Sequence, residues 1–205
     1  MKKVIFILFL CMFILTGCKD DNKNESGVNV TRTLAENNTT QDVTIEKPKA
    51  PEPVETQIGT YTTNIYDKTP SRVNNIKIAC DTLNGTIVPA GDTFSFCDTL
   101  GEAKPEDGYL PAATFDEDGD VFQDYGGGKC QISSTLYCVI KDLPGIVVTE
   151  RHAHSKRVYY VPEGADAAVS YGSVDLKFRN DTGSQVRIDC SSDGNTVVVS
   201  LVKIS

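Results

Sequence analysis

Apolar residues recur along this chain in three different rhythms. Residues 4–15 form an unbroken apolar run behind Lys2 and Lys3, and the next forty or so positions are almost wholly polar. From Ile58 onward apolar positions return in short periodic groups. Val73, Ile76, Cys80 and Leu83 repeat at helical spacing after Ser71, a residue suited to capping, and Gly85 supplies a stop. A second helix starts at Cys130, with Ile132, Leu136, Val139 or Ile140 and Leu143 on one face and Pro144-Gly145 ending it. Between and after the helices, β-branched and aromatic residues alternate with turn formers. They predict strands at 86–88, 93–96, 109–115, 121–125, 146–150, 157–161, 174–178, 186–190 and 196–202, the last two joined at Asp193-Gly194. The pattern predicts an α+β fold, a largely antiparallel sheet with two main helices.

The ends of the 205-residue chain read differently from its middle. The run at 4–15 is too short to span a bilayer but suits an export signal, and it closes on Leu15-Thr16-Gly17-Cys18. Small residues before a cysteine resemble a bacterial lipobox. Residues 1–17 are therefore expected to be a lipoprotein signal peptide, with lipid carried on Cys18 and the protein held on the outer face of the cell membrane. Residues 18–57 cannot bury enough apolar surface to offset their ordering entropy and read as a tether. Residues 58–205 remain as the folded domain. A formal net charge of -8 argues against nucleic acid as a partner.

Candidate chemistry concentrates in two stretches. In DYGGGKCQISSTLYCVI three glycines, Gly126, Gly127 and Gly128, precede Cys130 at the start of a helix. Glycines let backbone approach closely, and unpaired amides at a helix start favour negative charge. Helix N-termini and nearby histidines lower thiol pKa values, and the same amides can hold an oxyanion. The second stretch is TERHAHSKR, which carries both histidines of the chain, His152 and His154. Two apart on extended chain, their rings face the same way. Asp166 and Asp175 follow further on, and thiol, histidine and carboxylate in this order match papain-like and transglutaminase cores by analogy alone. A cysteine nucleophile, a buried structural cysteine, and a zinc site made of one cysteine and two histidines all stay open on spacing. The acidic turn DEDGD lacks the glycine and the final carboxylate of a calcium loop, so no metal and no cofactor is assigned.

The segments GDTFSFCDTLG, GYLPAATF, DYGGGKCQISSTLY, ERHAHS, YVPEGADAAVSYG and DLKFRN, in that order, resemble the VanW family over residues 60–202. Some clostridial members of that family are associated with L,D-transpeptidase activity on peptidoglycan. The resemblance implies Cys130 as nucleophile toward a peptidoglycan stem peptide, with transpeptidation or L,D-carboxypeptidation as the outcome. Non-catalytic wall binding, an accessory part in vancomycin resistance and zinc hydrolysis are the alternatives. In this scheme His154, or else His152, serves as base and Asp175 orients the ring. Gly126, Gly127, Gly128, Gln131 and Ser133 supply oxyanion and substrate contacts, and Arg151 meets a stem carboxylate. Cysteines at 97 and 138 stand where the family commonly has asparagine, which implies a Cys97–Cys138 disulfide with Cys80–Cys190 as the remaining pair.

Overall fold

The computed structural model describes residues 52–115, 118 and 120–205. The expected signal peptide, Cys18 and most of the tether lie outside the described residues, as does part of the acidic turn. Among the described residues no helix is long and apolar enough to cross a membrane.

A four-stranded antiparallel sheet carries the core. Its order is β1 (Glu55–Asn64), β9 (Thr196–Ile204), β8 (Gln185–Ser192) and β2 (Thr86–Val88), with β8 and β9 joined as the expected hairpin. Alternation decides which face is covered: Val186, Ile188 and Cys190 on β8 and Val197, Val199 and Leu201 on β9 are buried. Two helices lie against them. Helix α1 (Pro70–Leu83) buries Ile76, Ala79, Cys80 and Leu83, and α3 (Lys129–Ile140) buries Ile132, Leu136, Val139 and Ile140. At about 25 cal/mol per Å² of apolar surface, this shared core is the main source of stability.

A second antiparallel sheet, β3 (Thr93–Ser95), β7 (Lys177–Asn180) and β6 (Ile146–Glu150), packs Phe94 opposite Phe178 at 5.0 Å between ring centroids. Fully buried Asn180 links the sheets, its side-chain amide donating to the carbonyls of Val88, Pro89 and Ser184. A hairpin of β4 (Ala112–Phe115) and β5 (Val121–Asp124) stands apart from both.

The α+β class and the antiparallel pairing agree with the sequence pattern, with three departures. Strand β1 begins at Glu55, inside the segment read as tether, and runs along β9 as an edge strand. A short helix, α2 (Phe96–Leu100), follows β3, started by the Ser95 hydroxyl accepting from the Asp98 amide. Residues 157–161, expected as a strand, form bends without a ladder partner.

Candidate functional site

The glycine turn before α3 is shaped by packing. A Cβ at Gly127 would stand 2.7 Å from Ala112 Cβ and 3.0 Å from the Ala112 carbonyl, and one at Gly128 would stand 2.7 Å from Ile76 Cγ1. Gly128 also holds φ at 111°, in the region that favours glycine, and serves as the N-cap of α3. The turn is pinned by Asn75 of α1, whose amide donates to the carbonyls of Leu110, Tyr125 and Gly127 and whose oxygen accepts from the Leu110 amide. Close approach of α1 and β4 therefore explains Gly127 and Gly128. Of the three glycines only Gly126 lines the cleft described below.

Cys130 occupies the first turn of α3, half-buried, with its sulfur 3.4 Å from both the amide and the carbonyl of Val169. Lys129 and Gln131 donate their amides to the carbonyls of Gly126 and Gly128, while none of the turn's backbone bonds among the described residues uses the Cys130 amide. Two buried serines tie this turn to the segment that follows Asp166. Ser133 Oγ donates to the Ala167 carbonyl at 2.6 Å, and Ser134 Oγ accepts from the Ala167 amide at 2.9 Å and donates to the Cys130 carbonyl at 2.7 Å. The same segment pairs with the chain after β6, where the Ala168 amide donates to the His152 carbonyl at 2.8 Å. Three stretches distant in sequence thus meet at one point.

His154 lies there, lining the same cleft as Cys130 and close enough for the sulfur to act on its imidazole. Its Nδ1 pairs with Asp166 Oδ2 at 2.7 Å, and its backbone amide donates to the same oxygen at 2.7 Å. With Nδ1 engaged by the carboxylate, Nε2 is the nitrogen left for sulfur. Burial works against a charged imidazole, but the hydrogen bonds and charges of Cys130 and Asp166 outweigh it and hold His154 above its ordinary value. For Asp166 burial likewise opposes charge, and the His154 bonds with the Arg151 cation hold it below the usual carboxylate range. Arg151 fixes Asp166 from behind through Nη2 to Oδ1 at 2.8 Å and Nε to the Asp166 carbonyl at 2.6 Å, while its guanidinium stacks over Tyr137 of α3.

Several residues singled out in the sequence stand elsewhere. The carboxylate beside His154 is Asp166 and not Asp175. Asp175 lies two residues before β7 and accepts from Ser95 Oγ at 2.6 Å and the Cys97 amide at 2.8 Å, holding the start of α2. Gln131 is 1% exposed and donates to the Asn64 carbonyl and Thr63 Oγ1, anchoring α3 to β1 rather than facing substrate. Ser133 is buried and Arg151 is committed to Asp166, so neither lines the cleft. His152 does line it, but pairs with Glu150 at 3.0 Å. Cys97 and Cys138 are not neighbours bridged to each other: Cys97 sits in the cleft wall with its thiol on the Val174 carbonyl, and Cys138 turns to the Ala165 carbonyl. All five described cysteines are free thiols, and among the described residues no group of three or more His, Cys, Asp or Glu is arranged to hold a metal ion.

The cleft above Cys130 has a volume of about 620 Å³ and is lined by Cys130, His154, His152, Gly126, Cys97 and Lys129 among others. Two features escaped sequence reasoning. Tyr160 packs edge-on to His154, ring centroids 6.5 Å apart at 82°, and burial followed by the nearby Cys130 charge pushes its hydroxyl upward. Lys129 is 8% exposed, donates to the Gly101 carbonyl at 2.8 Å and lies over the Tyr109 ring, and burial pushes its ammonium down. The Tyr109 hydroxyl beneath it is buried without a partner among the described residues. An aromatic residue in a loop carries no periodic signal, so neither Tyr160 nor Tyr109 was legible locally.

Comparison with known proteins places this arrangement. The model of the VanW like protein family matches residues 71–202, which is more than half of the chain and includes Cys130, His154 and Asp166. The chain belongs to the VanW-like family. Its VanW-like domain is 32% identical over 145 residues to "Uncharacterized protein YoaR" of Bacillus subtilis (strain 168), covering 71% of this chain and 47% of that protein. It is 32% identical over 133 residues to "Vancomycin B-type resistance protein VanW" of Enterococcus faecalis (strain ATCC 700802 / V583), covering 62% of this chain and 48% of the relative. The chain thus spans about half the length of the curated relatives it matches. No solved structure matches the VanW-like domain, so the analogy to papain-like cores gains no structural neighbour.

Proposed function

We propose that this VanW-like protein acts on the bacterial cell wall, as a cysteine acyltransferase of the L,D-transpeptidase type on peptidoglycan stem peptides. The observation that carries the reading is that Cys130 and His154 line one cleft, with His154 held by Asp166 and the Cys130 amide at a helix start. His154 Nε2 takes the proton of the Cys130 thiol as sulfur attacks the carbonyl carbon of the third stem residue. The oxyanion meets the Cys130 amide and the positive end of α3. Collapse breaks the carbon–nitrogen bond, the imidazolium protonates the departing terminal D-alanine, and a thioester stays on Cys130. An amine of a second stem attacks the thioester, His154 takes its proton, and the thiolate is released and reprotonated. Water in place of the amine gives L,D-carboxypeptidation. Asp166 holds the imidazole with Nε2 toward sulfur and stabilises its charge.

The Enterococcus faecalis relative is named for vancomycin resistance, which favours a cell-wall role here, and lipid on Cys18 would hold the domain at the membrane face. The test is incubation of the purified protein with defined stem tetrapeptides, followed by intact mass. Expected are an acyl adduct on Cys130, released D-alanine and cross-linked product, all lost in Cys130→Ala. Binding of the stem peptide without adduct or product in the wild type, retained in Cys130→Ala, would replace catalysis with a wall-binding function.

A further inference from the structure

Outside the cleft, two buried cysteines belong to the shared core, on a helix and a strand that pack together. Cys80 is on the inner face of α1 and Cys190 on the inner face of β8, 1% and 4% exposed. The two elements are stitched at this level. The side-chain oxygen of Asn84, one helical turn beyond Cys80, accepts the Cys190 amide at 3.0 Å, and the Gly85 amide donates to the Ile188 carbonyl at 2.8 Å. With both cysteines buried on facing sides of this contact, Cys80 lies one helical turn before the residue that holds the Cys190 amide. The remaining described thiols, those of Cys97, Cys130 and Cys138, each meet a backbone carbonyl.

We infer that Cys80 and Cys190 are a disulfide-forming pair that closes when the chain folds in an oxidising compartment, with the α1–β8 contact as its template. The oxidant is the disulfide of a thiol–disulfide exchange donor. One cysteine thiolate attacks it and forms a mixed disulfide, and the second displaces the donor sulfur, so two electrons and two protons pass from the pair to the donor, which leaves as a dithiol. Because both sulfurs are covered once α1 docks, closure accompanies docking and does not follow it. The bridge encloses the segment from α2 to β7, which carries Cys130, His154 and Asp166. A constraint on so long a loop acts mainly on the unfolded chain.

The experiment refolds the full-length protein from the reduced, denatured state in a glutathione redox buffer, blocks free thiols in denaturant and maps the peptides without reduction. A Cys80 peptide linked to a Cys190 peptide is expected, with Cys97, Cys130 and Cys138 alkylated. The melting temperature should fall by roughly 10 °C when the bridge is reduced. The Cys80→Ala/Cys190→Ala double variant should show no such dependence on reductant, while Cys97→Ala should keep it. The inference is overturned if both thiols are recovered alkylated at every oxidising ratio. It is equally overturned if either one maps to a different cysteine. The map on wild-type protein decides the question even where the double variant fails to fold.

Discussion

Replacing Asp166 by Asn keeps the shape of the side chain and removes its charge. The carboxylate accepts three bonds, from the His154 amide and Nδ1 on Oδ2, both 2.7 Å, and from Arg151 Nη2 on Oδ1 at 2.8 Å. An amide has one oxygen. Turned toward His154, it leaves an NH₂ against the Arg151 guanidinium; turned toward Arg151, it sets that NH₂ against two donors of His154. Hydrogen bonds to charged groups are worth about 1.5–3 kcal/mol net, and breaking a buried pair by removing one partner costs about 3–5 kcal/mol. The side chains of Asp166, His154 and Arg151 are 12%, 12% and 23% exposed, so water recovers part of this. We expect a loss of about 2–4 kcal/mol, read as a melting temperature roughly 5–15 °C lower.

Removing the orienting charge should also slow D-alanine release from a stem tetrapeptide by about 10²–10⁴-fold at saturating substrate. By NMR the His154 titration should move down toward its ordinary value, because the attraction of Asp166 is gone. Asp175→Asn is the comparison. It loosens the start of α2, where Ser95 and Cys97 lean on the carboxylate, and should lower stability while leaving the His154 titration in place. If Asp166→Asn turns over within threefold of wild type while Asp175→Asn abolishes the reaction, the assignment of the orienting carboxylate is refuted.

Gly127→Ala should cost about 1–3 kcal/mol in urea denaturation, because the new methyl meets Ala112 Cβ at 2.7 Å and the Ala112 carbonyl at 3.0 Å, and backbone has to give way; an unchanged midpoint would show that the turn has slack. The raised pKa of His154 contributes stability that is fully present below about pH 6.5, its unfolded value, and is lost as pH rises through the higher folded value. Chemical denaturation across that window should therefore fall less steeply in His154→Gln, and equal slopes in the two proteins would remove His154 from the linkage.

What the chain settled by itself is whatever repeats over short distances. Val73, Ile76, Cys80 and Leu83 mark α1, and Ile132, Leu136 and Ile140 mark α3, because a helix buries every third or fourth residue regardless of its partners. Alternation in the same way gave β8 and β9, and Cys130 fell at a helix start because the glycine turn and the helical period adjoin. The whole of strand β1 lies outside the strands expected from the sequence, because ETQIGTYTTN is an edge strand of polar and β-branched residues whose ladder depends on β9, well over a hundred positions away. The choice of Asp166 over Asp175 was equally non-local. It follows from Ser133 and Ser134 holding Ala167 against α3, which turns the neighbouring carboxylate toward His154, while β7 pairing with β3 carries Asp175 to α2. Periodicity constrains a residue only through neighbours a turn or a pleat away, and which groups meet across a cleft is decided by the hydrogen bonds between segments that only the tertiary fold brings together.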